Sequence, residues 1–295
     1  MQIKPDIDKI KNNITEIESI GKKLGEGGFK IVYETSIKGE AEALKIVYIP
    51  DDPMDPTVKE ENISRLKREI KLLQKCKTPF LVKLGTLHPV ETKIDDEEYI
   101  VYSEEILAGD SMREKIKNGY KPTITELAKL GICALEVISE LWNEEEAVHR
   151  DIKPDNIMVS GNENRPYVML DLGVAFIVGG TPLTRDPRSA PGTLYYLAPE
   201  MLLPGFRESM DYRADLYTLA LTIYEYAVGK NPFMRRGDPE YTTLHRINSY
   251  TPEPLETIRT DLPKEFCEVI NQLLKKKPAL RPNLRKVKKL MEKYQ

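Results

Sequence analysis

The stretch His149-Arg-Asp-Ile-Lys-Pro-Asp-Asn156 puts a carboxylate, an ammonium two residues later and a carboxamide five residues later on one short loop. Fifteen residues beyond Asn156 comes Asp171-Leu-Gly173, after the apolar run Tyr167-Val-Met-Leu170, which reads as a strand. Asp151 offers a proton acceptor and Lys153 a cation. Asn156 and Asp171 offer oxygen atoms of the kind that hold hard divalent cations. Upstream, Leu24-Gly-Glu-Gly-Gly-Phe-Lys-Ile-Val-Tyr33 is rich in glycine. Glycines free the backbone to approach phosphates with its N–H groups. The run is flanked by strands rather than by strand and helix, which disfavours a dinucleotide-binding turn. Taken alone, it also reads as an ordinary hairpin turn.

Around the glycine run, Ile31-Val-Tyr33 and Ala43-Leu-Lys-Ile-Val-Tyr48 are rich in β-branched and aromatic residues, with Lys38-Gly39 between them. This predicts three short antiparallel strands over about 18–48. A proline-bearing acidic stretch, Pro50-Asp-Asp-Pro-Met-Asp-Pro56, leads into a helix with Ile63, Leu66, Ile70 and Leu73 on one face. Two more strands are expected around Leu81-Val-Lys-Leu84 and Tyr99-Ile-Val-Tyr102, with the acidic turn Asp95-Asp-Glu-Glu98 between them. Past residue 106 the apolar spacing is helical. Leu127, Leu130, Ala134, Ile138 and Leu141 form one face, Leu216, Leu219, Ala220, Ile223 and Ala227 a second, and Phe266, Val269, Ile270 and Leu273 a third. The expected fold class is α+β and two-lobed. A small antiparallel β-rich lobe with one main helix spans 19–105. A larger, mainly helical lobe spans 106–295, the two making one domain. A cleft between two such lobes is a usual place for a ligand. Ahead of them, residues 1–18 carry Ile3, Ile7, Ile10, Ile14 and Ile17 at helical spacing. This helical extension either packs on its own chain or meets a second copy.

The 295 residues include 44 Lys and Arg against 47 Asp and Glu, a net charge of −3, and 40% are hydrophobic. That supplies a core and argues against a disordered chain. The balanced charge gives no global pull toward nucleic acid or a membrane surface. Cys76, Cys133 and Cys267 are far apart and odd in number, which excludes a disulfide framework and points to a reducing cytoplasm. His88, His149 and His245 leave little for a zinc site. The most apolar stretch, Leu216–Gly229, is shorter than the ~20 residues of a membrane span and contains Glu225. The N-terminus lacks the apolar run of a signal peptide. Between Lys275 and Lys293 stand nine basic residues and one acid, Glu292. A solvated helix face is the favoured reading there over a nucleic-acid contact.

Over roughly residues 18–293 the sequence resembles the eukaryotic-type (Hanks-type) serine/threonine protein kinases. Besides the two motifs above, Gly192-Thr-Leu-Tyr-Tyr-Leu-Ala-Pro-Glu200 looks like the end of a kinase activation segment. Asp215-Leu-Tyr-Thr-Leu-Ala220 and Gly229-Lys-Asn-Pro-Phe233 look like the buried helix after it, and Leu280-Arg-Pro282 like the family's late arginine element. Tyr217, where animal and plant kinases usually have tryptophan, is similar to prokaryotic or viral members.

The resemblance implies transfer of the γ-phosphoryl of ATP to protein hydroxyls, with magnesium, or manganese in its place. It implies that Lys45 contacts the α- and β-phosphates, with Glu69 as its helix partner and Glu60 and Glu61 as rivals. Asp151 would orient the acceptor hydroxyl and take its proton. Lys153 would steady the transferring group, and Asn156 and Asp171 would hold the metal. Leu24, Gly25, Gly27, Gly28, Val32, Ala43 and Met158 would surround the nucleotide, with backbone groups of Glu105 and Leu107 offered to adenine. Glu104 would stand at the back of the pocket, where it needs a partner; if the register slips by one, Ser103 stands there instead. Lys153 and Thr193 match the serine/threonine pattern, and Thr193 would brace the catalytic loop. Arg150 implies docking of a phosphorylated activation segment, with Thr181, Thr184, Ser189 and Thr193 as acceptors. The alternative is that it bonds local backbone. Leu172 replaces the usual phenylalanine and Lys30 the third glycine of the loop. The rival functions are a pseudokinase-type nucleotide-binding scaffold and a small-molecule kinase.

Overall fold

A computed structural model of the chain describes residues 5–27, 29–50, 57–172, 176–177, 194–206, 210–235 and 237–295, with Val58, Phe176 and Ile177 described by their backbone alone. It divides into two compact units. The first takes in the described residues of Met1–Lys75 and Val82–Leu107. The second takes in those of Cys76–Leu81, Ala108–Pro182 and Asp186–Gln295.

The first unit is built on a five-stranded antiparallel sheet in the order β1-β2-β3-β5-β4. Its strands are β1 (Ile17–Gly27), β2 (Lys30–Ile37), β3 (Glu40–Ile49), β4 (Val90–Ile94) and β5 (Glu97–Glu105). Side chains alternate across a strand, and the core follows that rule. Leu44, Ile46, Tyr99 and Val101 cluster with Ile10, Ile14, Ile17 and Ile37 on one side. Ile100, Tyr102 and Ile49 pack with Leu66 and Ile70 on the other. Leu66 and Ile70 belong to α2 (Thr57–Lys75). Ile10 belongs to α1 (Ile7–Asn13), which begins at Asp6, whose carboxylate accepts from Lys9 N at 3.1 Å. The isoleucine stripe is therefore spent on this unit's own core, each fully buried side chain contributing about 1.5–3 kcal/mol. Ile3 lies outside the described residues.

One expected strand is absent. Leu81–Leu84 makes isolated bridges, Leu81 with Met169 and Leu84 with Glu104, and a backbone bond from Glu105 N to the Lys83 carbonyl, while the strand that ladders with the rest of β5 is Val90–Ile94. Leu81 and Val82 are buried, so their apolarity reports core contact without a ladder. The alternation of Val90, Thr92 and Ile94 against exposed Glu91 and Lys93 is the pattern of a half-buried strand. The acidic turn does close that hairpin, with Asp95 at φ 47°.

The second unit is mainly helical. Its short strands are β6 (Asp110–Ser111), β7 (Ala147–Val148), β8 (Ile157–Val159), β9 (Tyr167–Met169) and β10 (Phe176–Ile177). They form a three-stranded sheet, β6-β8-β9, and the pair β7-β10. Helix α3 (Met112–Lys117) starts at a capping box between Ser111 and Glu114, and α4 (Ile124–Glu145) at one between Thr123 and Glu126. The predicted face of α4 is buried from Leu127 to Leu141. Helix α5 (Arg213–Val228) is buried on all sides from Ala214 to Ala227 and stops at Gly229, φ 84°. Then come α6 (Glu240–Ser249), α7 (Leu255–Ile258), α8 (Lys264–Leu273) and α9 (Leu284–Met291). No helix among the described residues is long and apolar enough to cross a membrane.

Candidate active site

In the second unit, the loop between β7 and β8 carries the decisive motif. Asp151 is buried, and Lys153 Nζ donates to both of its carboxylate oxygens at 2.8 Å. Asn156 Nδ2 donates to Asp151 Oδ2 at 2.7 Å and to the Asp151 carbonyl at 3.1 Å. With its nitrogen spent on Asp151, Asn156 has its amide oxygen left as an acceptor. Asp171, two residues past the end of β9, is partly exposed.

The loop is held from below by Asp215, at the start of α5. Asp215 is fully buried and accepts from His149 N at 2.7 Å and Arg150 N at 2.8 Å. Asp151 N in turn donates to His149 Nδ1 at 3.3 Å. Arg150 takes the left-handed conformation, φ 68°, an uncommon one for a residue with a Cβ, held here by the bonds around it. Burial pushes the Asp215 carboxyl pKa up, while His149 and the two backbone amides pull it down. Two helical turns further, Thr222 Oγ1 shares its proton between the Ile152 carbonyl at 3.0 Å and the Thr218 carbonyl at 2.8 Å. Two side chains of α5 thus fix the backbone on both sides of Asp151.

The segment Leu194–Glu200 is tied down separately. Arg281 forks onto Glu200 at 2.5 and 2.7 Å and also donates to the Arg213 carbonyl at 2.9 Å. The Arg281 side chain is fully buried, and its guanidinium lies over the Tyr217 ring at 4.8 Å. Two of the sequence motifs, far apart in the chain, are thus joined by one bidentate pair.

In the first unit, Lys45 on β3 and Glu104 on β5 meet in a buried ion pair. Nζ to Oε1 is 2.5 Å, with the two side chains 5% and 4% exposed. The register pairs Ala43 with Glu104 and Lys45 with Tyr102, so Glu104 shares a face with Lys45. Ser103 points to the opposite face, where its Oγ accepts from Leu87 N at 2.9 Å. Of the two readings of the back position, the structure places Glu104 on the lysine's side, with Lys45 as its partner.

Val32 on β2 stands opposite Lys45 in the sheet register, Ala43 is buried on β3 and Glu69 is buried on α2. Leu24, at the end of β1, is exposed. A Cβ built on Gly25 or Gly27 would meet no atom within 4 Å, so the fold itself does not require glycine there. Glu105 N donates to the Lys83 carbonyl at 2.9 Å, and Leu107 follows β5, partly exposed. Met158, in the second unit, sits in β8 between β6 and β9. Gly28, Thr181, Thr184, Ser189 and Thr193 lie outside the described residues.

The sequence profile of the protein kinase domain matches residues 19–292. The chain belongs to the protein kinase family. Among its curated relatives is the serine/threonine-protein kinase PknE of Mycobacterium tuberculosis, 28% identical over 86% of this chain and 42% of that protein. A probable serine/threonine-protein kinase of Clostridium perfringens is 26% identical over 88% of this chain and 35% of its own length. The dual specificity mitogen-activated protein kinase kinase jkk-1 of Caenorhabditis elegans is 26% identical over 90% of this chain and 58% of its own length. This kinase chain therefore spans between about a third and three fifths of the length of these relatives.

Sequence reasoning gave no role to Asp215, Thr222 or Arg113. A signal existed for the first two. Asp215 and Thr222 are polar residues inside a helix that is buried all round, and such groups are kept for the hydrogen bonds they make.

Proposed function

We propose that this chain is a serine/threonine protein kinase that transfers the γ-phosphoryl of ATP to protein hydroxyls with magnesium. The observation that carries the reading is the Asp151 carboxylate, held by Lys153 and Asn156 on a loop whose backbone is clamped by Asp215. Positioning of this kind is most of what phosphoryl transfer asks of a protein.

The residues fit the metal. Asn156 has its amide oxygen available and Asp171 supplies a carboxylate, a hard-oxygen pair that suits magnesium when phosphate oxygens and water complete its shell. Magnesium bound there neutralises phosphate charge. The rest falls to the chain. Gly25 and Gly27 leave open space for the phosphates, and Lys45 supplies a cation to them. Asp151 orients the acceptor hydroxyl and takes its proton at the carboxylate. Lys153, already on Asp151, steadies the transferring group. The brace of Thr193 and autophosphorylation at Thr181, Thr184 or Ser189, read out through Arg150, belong to this proposal. So does a cytoplasmic location, favoured by the buried thiols of Cys76, Cys133 and Cys267.

Incubation with labelled ATP, magnesium and generic acceptor proteins, beside Asp171→Ala, tests the proposal. Label in protein Ser or Thr, lost in the variant, is the expected result. Nucleotide binding without transfer would replace the proposal by a scaffold, and transfer only to metabolites by a small-molecule kinase.

A further inference from the structure

Six residues, Cys76–Leu81, belong to the second unit although the chain on either side of them belongs to the first. Their hydrogen bonds show what fastens them there. Glu140, on α4, accepts from Lys77 N at 2.6 Å through Oε1 and from Thr78 N at 2.7 Å through Oε2. Both oxygens of one carboxylate are thus used on two consecutive amides, in the strong, charge-assisted kind of bond. Thr78 Oγ1 accepts from Phe80 N at 3.3 Å, and the Pro79 carbonyl accepts from Arg165 Nε at 2.6 Å. Glu140 has no part in the roles above.

This segment leads to the candidate metal ligands. The Phe80 carbonyl accepts from Met169 N at 2.8 Å, and Leu81 forms a parallel bridge with Met169. One residue on, Leu170 N donates to the Asn156 carbonyl at 2.9 Å. The end of β9 is therefore held by two carbonyls, one from Phe80 and one from Asn156, and Asp171 is the next residue. Asn156 and Asp171 are the pair offered to magnesium. Their relative placement is set by these backbone bonds, and the Phe80 bond depends on a segment that Glu140 anchors. Magnesium demands near-ideal octahedral geometry, whereas calcium accepts looser, more variable shells of oxygen. A small displacement of Asp171 therefore costs magnesium more than calcium.

We propose that Glu140 is a positioning residue for the metal site. It fixes Lys77–Leu81, which holds the end of β9 and so sets where Asp171 stands relative to Asn156. Its action passes through Phe80 and Met169, and its own oxygens are spent on the two amides. The inference rests on the protein-kinase reading above and deepens it, by adding a residue of α4 to the machinery that holds magnesium.

Calorimetry of ADP binding to the full chain, in EDTA, in magnesium and in calcium, tests it. The readout is the gain in ADP affinity that each metal gives over EDTA. In Glu140→Gln one oxygen remains as an acceptor and an NH2 faces the second amide. The magnesium gain should fall about tenfold, the low end for residues that orient metal ligands indirectly. The calcium gain should stay within about twofold, because its shell adapts, and the affinity in EDTA should not change. Glu140→Asp keeps the charge on a stem one methylene shorter. Its magnesium gain should fall about threefold, since a charge-assisted bond to one amide survives. A glutamate that merely braced α4 would lower the melting temperature and leave the magnesium gain at its wild-type value, which would overturn this inference and leave the kinase reading standing. Equal loss of both metal gains would overturn it as well. Should Glu140→Gln fail to fold, Glu140→Asp decides alone, and a wild-type magnesium gain there overturns the inference. A wild type whose ADP affinity ignores magnesium and that labels no protein with ATP overturns the kinase reading, and this inference with it. A wild type that labels protein while magnesium gives ADP no gain overturns the inference alone.

Discussion

Replacing Asp215 by asparagine tests the clamp on the catalytic loop. The buried carboxylate accepts two backbone amides, His149 N at 2.7 Å and Arg150 N at 2.8 Å. Asparagine has nearly the same shape but only one acceptor oxygen, and it turns an NH2 toward the second amide. One charge-assisted bond of about 1.5–3 kcal/mol becomes a neutral one of about 0.5–1.5 kcal/mol, and an amide left without an acceptor costs about 1–3 kcal/mol. Relief from burying a charge, the same burial that raises the Asp215 pKa, offsets part of this. The expected net loss is about 2 kcal/mol, or a fall in Tm of about 4–8 °C. Scanning fluorimetry reads that shift. Kinetics should show kcat down by about tenfold or more, since Asp151 is displaced from its productive geometry. KM for ATP should stay within about twofold, because Gly25, Gly27 and Lys45 belong to the other unit. An Asp215→Asn protein that melts with the wild type and keeps its kcat would refute the clamp.

Three further expectations follow from the same reasoning. Glu104→Leu removes a partner from a buried ammonium and should cost about 3–5 kcal/mol; a double-mutant cycle with Lys45→Met should recover most of that loss. Arg281→Lys breaks a fully buried fork onto Glu200 and should cost about 3 kcal/mol of stability, read as a lower urea midpoint, a charge-conserving change that is not conservative in geometry. Lys276 donates to the Ile247 carbonyl at 2.7 Å and lies 4.7 Å from the Phe233 ring centre, and burial, helped by nearby Arg281, lowers its pKa to about 8. Between that value and its unfolded 10.5 the unfolded chain binds the extra proton, so Lys276 itself contributes a rise in stability with pH, against the opposite contribution of the Cys133 and Cys267 thiols, which burial pushes up. Melts at several pH values should show the stability of the wild type rising with pH relative to that of Lys276→Met.

What was legible in the sequence divides by distance along the chain. The loop from His149 to Asn156 is legible because its chemistry is short-range: Lys153 and Asn156 reach Asp151 from two and five residues away. The helical face of α4 is legible because apolar spacing is local as well, whereas α5 is buried on all sides, so its spacing marks a helix without marking a face. The back-pocket position was not, because a one-residue slip exchanges the two faces of a strand. Only the β3–β5 register, Ala43 against Glu104, separates Glu104 from Ser103. The Leu81–Leu84 segment misled because its apolar residues record core contact and isolated bridges rather than a continuous ladder.

The side chains that hold the loop in place fall outside any spacing rule. Asp215 acts on residues 65 and 66 positions away, and Arg113 on Glu225 at 112. In sequence, Glu225 does no more than interrupt an apolar run. In the fold, that interruption requires an explanation, since a carboxylate 2% exposed on a helix buried all round persists only if its oxygens are satisfied. Arg113, Tyr196 and Asn231 supply the donors, the last at 3.4 Å. The same argument applies to Asp215, ten positions earlier on α5. An acid inside an apolar helix is thus the trace that a long-range contact leaves in the sequence: it says that a partner exists, while the fold says which.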